Sequence, residues 1–392
     1  MNALSSKLLP VSVALAASLS AAWADGSAAA PHRRLAGDPS SASVATLAQD
    51  DQTWTPERYR YAEAMPLIPV ASVLDPARDD VPVDPSRVSA PGQPPQALNA
   101  AALDRIAQQL FEPAPDPAVE PMAEAPSADQ AVLRPQDAGS AGAYFSSQPL
   151  VPLTADTSYP YQTVGKLFFT QPGVGDFTCS AAVIRPRLIL TAGHCVHSGR
   201  GAWFTNFRFI PAYRDGAAPF GQWSAAWVTT TTPWINGGGA VPNAADYALI
   251  ELNDQPVGGA TRRIGDVVGY LGYATHALLP NHAHLLGYPA AFDGGGKMHQ
   301  VTSASFQSGG NNTVLYGSDM TGGSSGGPWL QNFGPASAGQ SGGLKPGRNQ
   351  VIGVTSYGYT DAAVKTQGSS ILNDTFVALM TGACGHRAGN CP

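Results

Sequence analysis

Three separated stretches of this 392-residue chain carry residue types that do nucleophilic chemistry together. Thr191-Ala-Gly-His194-Cys195 follows an apolar run, Asn243-Ala-Ala-Asp246 leads into another, and Gly322-Gly323-Ser324-Ser325-Gly326-Gly327-Pro328 is a glycine-rich loop. A serine hydroxyl is a weak nucleophile until an imidazole takes its proton. The imidazole in turn needs a carboxylate to fix its tautomer and stabilise its charged form. The chain offers one candidate for each role: Ser325, His194 and Asp246. Glycines on both sides of Ser325 permit a tight turn without side-chain bulk, which aims the N–H groups of Gly323 and Ser325 at a developing oxyanion.

The elements that must hold these residues are short. After Tyr144, β-type runs of strand length alternate with Gly, Pro and Asn: Val164–Thr170, Ala181–Ile184, Leu188–Leu190, Tyr247–Ile250 and Val351–Val354. Only Ser370–Met380 reads as a helix, with Leu372, Phe376, Leu379 and Met380 on one face and Gly382 to end it. Many short strands and one terminal helix predict an all-β sandwich or barrel pair. Residues 332–349, rich in Gly, Ser and Pro, read as a long surface loop.

The TAGHC, DYALIEL and GGSSGGP blocks, in the order His, Asp, Ser, resemble those of the trypsin/chymotrypsin-type serine peptidases, nearest to bacterial secreted members related to the glutamyl endopeptidases. The resemblance covers about residues 149–392. It implies two six-stranded antiparallel β-barrels with a C-terminal helix. It also implies an acyl-enzyme on Ser325, His194 as general base and Asp246 as its orienting acid. Cys179 and Cys195 match the pair that braces the histidine loop in this family, and Cys384 and Cys391 make a short C-terminal pair. Four cysteines allow three pairings, and spacing alone does not choose among them.

The pattern also departs from that family. Trypsin-like members carry an acid just before the nucleophile that captures a newly freed N-terminus, and here that residue is Ser324, so the ion-pair switch is unavailable. Asp319, six residues before Ser325, matches the acidic floor of the pocket that receives the side chain before the cleaved bond, which leans toward Arg or Lys there; the alternative is a structural Asp319, since relatives of the glutamyl type also carry an acid in this part of the loop without cleaving after basic residues. Thr355 stands where glutamyl enzymes use a histidine. Ser356 and Gly358 match the strand that pairs with substrate backbone. No cofactor or metal is implied.

Composition bounds the alternatives. With 22 Lys and Arg against 28 Asp and Glu, a net charge of −6 and only 13% charged residues, the chain lacks the basic face that neutralises nucleic-acid phosphates. No apolar stretch after residue 24 is long enough to span a membrane. The charge is uneven. Residues 1–150 hold 9 basic against 17 acidic groups, with 19 of the 34 prolines and 5 of the 43 glycines. Residues 1–24, with Lys7, the apolar Leu8–Leu19 and Ala22-Trp23-Ala24, read as a secretory signal cut before Asp25. Residues 25–148 read as a largely irregular pro-region or linker, either disordered or a removable inhibitor or chaperone of the peptidase domain at 149–392. Within it Leu98, Leu103, Ile106 and Leu110 predict one amphipathic helix. The expected protein is exported and acts on proteins or peptides.

Three other readings fit parts of the sequence. Gly323-Ser324-Ser325-Gly326-Gly327 also fits the esterase nucleophile elbow, with Asp374 and His386 as nominal partners, but Pro328 disfavours the helix that should follow. A catalytically silent secreted binding or adhesion protein would keep the fold and lose a member of the triad. His276, His282 and His284 offer histidines without the acid or cysteine that would complete a metal site.

Overall fold

The computed structural model describes residues 40–43, 53–70, 87–112, 143–339, 345–359 and 364–392. Residues 1–24, read from the sequence as a secretory signal, lie outside the described residues, as do 71–86 and 113–142 of the region that follows.

Six strands close a first barrel: β1 (Val164–Gln171), β2 (Gly175–Val183), β3 (Leu188–Thr191), β4 (Thr205–Pro211), β5 (Trp223–Thr230) and β6 (Ala248–Leu252). They pair antiparallel in the order β5-β4-β1-β2-β3-β6, and β6 returns to β5. Period-2 alternation divides β1 between two cores. Leu167 and Phe169 pack with Val183, Ile189, Phe209 and Ile250. Val164 and Phe168 face the opposite way, into a cluster shared with Trp54, Tyr59, Tyr213 and Leu249.

The second barrel is built from β7 (His282–Gly287), β8 (His299–Gly310), β9 (Thr313–Gly317), β10 (Pro328–Gln331), β11 (Gln350–Val354), β12 (Tyr357–Tyr359) and β13 (Thr366–Ser370). The order is β11-β10-β7-β8-β9-β13-β12. Strands β11 and β12 are one run of chain interrupted at Thr355–Ser356, so closure comes from a single strand that changes neighbours at a bend. Leu285, Val301, Val314, Tyr316, Trp329 and Ile352 fill the interior. The two-barrel architecture expected from the sequence is the one observed.

Several boundaries differ from the sequence reading. The C-terminal helix runs Asp374–His386, not Ser370–Met380. Ser370 belongs to β13, Asn373 caps the helix by accepting from the Thr375 N–H at 3.0 Å, and Gly382 and Gly385 lie within it. Burial of Phe376, Leu379, Met380 and Ala383 carries the helix past a glycine that its propensity alone would make a stop. The predicted amphipathic helix is cut to Ala100–Asp104, because Gln108–Gln109 pairs instead with Ala217–Ala218. Its apolar residues still dock: Ile106 is buried in the interior of the first barrel, and Leu110 in the cluster that the first barrel shares with the second.

The N-terminal stretch is woven into both barrels. Ser40–Ser43 pairs with β5, Ser89–Ala90 with Tyr273–Ala274, and Phe145–Pro149, which straddles the 148/149 boundary, with β8. Among the described residues no helix is long and apolar enough to cross a membrane.

Candidate active site

His194 sits in a single helical turn, Gly193–Cys195, directly after β3. Gly193 is required there: a Cβ would lie 2.9 Å from both Oδ1 of Asp246 and the Trp234 ring. Cys195 is tied to Cys179 on β2, so the turn is fastened to the barrel wall. Cys384 pairs with Cys391 at the C-terminus.

Asp246, just before β6, is fully buried. A buried carboxylate is costly unless donors surround it, and Asp246 has three. The His194 N–H donates to Oδ1 at 2.9 Å, and Nδ1 of the same histidine meets Oδ2 at 2.8 Å. The Ser356 hydroxyl donates to Oδ2 at 2.6 Å. The Asp246 N–H donates to Ser370 Oγ at 3.0 Å, and Ser370 donates to the Asn243 carbonyl at 2.7 Å. With Nδ1–H turned to the carboxylate, Nε2 of the neutral ring carries the lone pair.

The loop bearing Ser325 is packed against the histidine turn. The Ser180 N–H donates to the Ser325 carbonyl at 2.8 Å, and Gly326, at φ +75°, donates to the Thr355 carbonyl at 2.8 Å. A Cβ on Gly326 would fall 2.0 Å from Thr191 Oγ1 and 2.8 Å from the Ala192 nitrogen. Ser325 Oγ and His194 Nε2 are both buried and make no hydrogen bond within the protein. Gly323, at φ +89°, turns its N–H outward to the Met65 carbonyl at 2.9 Å, while its own carbonyl accepts from Ser180 Oγ at 2.8 Å.

Ser324 is satisfied by neutral groups. It donates to the Thr321 carbonyl at 2.7 Å and accepts from Gln367 Nε2 at 3.1 Å.

The family model described as Trypsin matches residues 154–378. The chain belongs to the trypsin family. Glutamyl endopeptidase of Bacillus licheniformis is 27% identical over 140 residues, 35% of this chain and 39% of that protein. The extracellular metalloprotease of Bacillus subtilis is 27% identical over 124 residues, 31% of this chain and 36% of that protein. The chain thus spans less than two fifths of the length of these curated relatives. Solved structures with the likeness include a thermostable serine protease AL20 from an extremophilic microorganism, 28% identical over 58% of this chain and 98% of that one, at TM-score 0.48. Protease Anisep from Arthrobacter nicotinovorans is 30% identical over 60% and 99%, at TM-score 0.47.

The residues singled out for substrate contact divide into two groups in this trypsin-family chain. Asp319 and Gly358 line a cavity of about 330 Å³ with Ser318, Gly322, Lys365 and Leu67. Thr355 and Ser356 do not line it. Thr355 is buried with its hydroxyl accepting from the Trp329 indole at 2.9 Å, and the Ser356 hydroxyl is spent on Asp246. Thr355 braces Trp329 and Ser356 braces Asp246 of the candidate triad, because the bend between β11 and β12 turns both inward.

Sequence reading missed Ser370, Gln367 and Ser147. Ser147 donates to Asp319 Oδ1 at 2.7 Å and meets His299 Nε2 at 2.8 Å. Burial holds the His299 pKa below the ordinary imidazole value, against the pull of Asp319. None of these residues is adjacent in sequence to what it supports, and no local spacing marks them.

The rival sites are dispersed. His386 Nδ1 meets Glu251 at 2.6 Å with its ring stacked on Trp227, and His276 lies 4.0 Å from Asp374. Among the described residues the one convergent His, Cys and acid group is Cys179, His194 and Cys195, whose sulfurs are joined to each other.

Proposed function

We propose that the protein is an exported serine endopeptidase, made as a precursor, that hydrolyses peptide bonds through an acyl-enzyme on Ser325. The observation that supports this reading is Asp246 engaging His194 at Nδ1, which leaves Nε2 without a hydrogen bond, while the buried Ser325 hydroxyl is likewise unpaired on a loop packed against the start of the histidine turn. His194 takes the Ser325 proton as Oγ attacks the carbonyl carbon, and returns it to the leaving amine. The N–H groups of Gly323 and Ser325 receive the oxyanion. Water then repeats the sequence on the acyl-enzyme and frees the acid.

Substrates are proteins or peptides laid along Gly358, with the side chain before the cleaved bond entering the Asp319 cavity. The carboxylate, fixed by Ser147, favours Arg or Lys there. Export is supported by the signal-like N-terminus and by two disulfides, which persist in oxidising compartments. The chain's own N-terminal region is proposed as an intramolecular partner of the site.

Fluorophosphonate labelling with intact mass and peptide mapping tests the reading. A single adduct on Ser325, absent in Ser325→Ala, is expected. No adduct on folded protein freed of its N-terminal region would instead favour a silent binding protein on this scaffold.

A further inference from the structure

The stretch Glu63–Val70 crosses the candidate active site from one barrel to the other. Glu63–Ala64 pairs parallel with Phe177–Thr178 of β2, and Ile68–Val70 pairs parallel with Tyr357–Tyr359 of β12. Between these two additions the Met65 N–H donates to the Thr178 carbonyl and the Met65 carbonyl accepts from the Gly323 N–H, each at 2.9 Å. Leu67 lies over Gly358, its Cδ1 2.9 Å from where a Cβ would stand, and lines the Asp319 cavity. A second cavity of about 260 Å³ separates Met65, Pro66 and Leu67 from His194 and Trp234.

The residues just before this stretch are an anchor. Arg58 forms a two-pronged pair with Asp176 at 2.6 and 2.7 Å and lies over the Trp54 ring. Trp54 and Tyr59 are buried against Phe168, and the Trp54 indole donates to the Asn206 carbonyl at 2.6 Å.

We infer that residues 53–70 are a built-in inhibitor: the anchor at 53–62 holds 63–70 across the cleft, where Met65 occupies the Gly323 donor and Leu67 covers Gly358 and walls the side-chain cavity. This rests on the reading of Ser325 as nucleophile. Tethering makes the blocking contacts intramolecular, so their local concentration is high however weak each is. The bond after Met65 leads to Pro66, a nitrogen without a proton, and pairing on both barrels fixes the chain to either side of it. The segment therefore masks the site without being turned over. Relief requires its release, and a chain cut beyond residue 70 leaves it seated.

The test compares fluorophosphonate labelling rates of the full chain and of the Trp54→Ala/Arg58→Ala double variant, with melting curves to establish that both are folded. The variant is expected to label at least tenfold faster. A synthetic peptide of residues 53–70 added in excess should slow it again and remain intact by mass. Labelling of both folded forms at the same measurable rate, or cleavage of the peptide after Met65, would overturn the inference and leave the catalytic reading standing. If no form labels while a fluorescent 53–70 peptide still binds the double variant, the seating of the segment stands and the catalytic reading falls. A peptide that neither binds nor slows labelling overturns the inference even if the rates differ.

Discussion

Ser356 and His194 share one acceptor: both meet Oδ2 of Asp246, at 2.6 and 2.8 Å. The oxygen that orients the imidazole is thus itself oriented, from the bend that joins β11 to β12. Removing the Ser356 hydroxyl takes one of three donors from a buried carboxylate, and hydrogen bonds to charged groups are worth about 1.5–3 kcal/mol. Ser356→Ala is expected to lower kcat by about tenfold or more with KM little changed, whereas Ser356→Thr retains most activity. Steady-state kinetics on a peptide ester reads both.

The Asp319 cavity makes a second prediction through opposed charges. Asp319→Asn should reduce cleavage after Arg and Lys by about tenfold or more, while Lys365→Ala, which removes a cation from the same lining, should increase it. Ratios of kcat/KM on Arg, Lys, Glu and Leu substrates measure this. Equal ratios in all three proteins would exclude Asp319 as the selecting group.

Gly326 has no room for a side chain. At φ +75° and with a Cβ placed 2.0 Å from Thr191 Oγ1, Gly326→Ala forces the Ser325 loop away from the histidine turn. Strained or overpacked positions of this kind cost on the order of 1–3 kcal/mol each. A lower Tm and loss of Ser325 labelling together are expected.

Lys166 is buried in the first barrel wall, donating to the Gly295 carbonyl at 2.8 Å beside the Phe168 and Tyr213 rings. Burial lowers its pKa from 10.5 to about 8. Between those values the unfolded chain binds the proton and the folded one does not, so stability rises with pH across that window and is flat below it. Lys166→Met should abolish this rise and stabilise the protein at pH 7, by less than the full linkage because the Gly295 carbonyl loses its donor. Denaturant melts of both proteins at pH 7 and pH 10 give the difference directly.

The Cys179–Cys195 bridge closes a separation of 16 residues and fastens the histidine turn. Loop closure of that length contributes about 3 kcal/mol. Cys179→Ala/Cys195→Ala should lose that much stability in a urea melt, and more than Cys384→Ala/Cys391→Ala, whose separation is 7.

Much of the fold and of the candidate triad was legible because the signals are local. TAGHC, DYALIEL and GGSSGGP each place one residue at the end of a strand or in a tight loop, and the strands flanking them alternate or run apolar. What was not legible depends on contacts across the chain. Ser370 and Gln367 look like ordinary strand residues until β13 lies beside Asp246 and Ser324. Thr355 and Ser356 read as substrate-facing because nothing in their neighbours announces the inward bend. Met65–Val70 carries no periodicity or motif, and its position in the cleft comes from pairing with two strands more than a hundred residues away. The C-terminal helix extends past Gly382 because packing against the first barrel outweighs about 1 kcal/mol of glycine propensity.

Ser324 deserves a last consequence. Its hydroxyl is held by the Thr321 carbonyl and the Gln367 amide, so the partners of the residue before Ser325 carry no charge. Salt cannot screen these bonds and ordinary changes of acidity cannot titrate them. These neutral bonds hold the Ser325 loop in its form without a charged partner at Ser324. On the proposed reading of Ser325, control then falls on admission to the site rather than on its assembly.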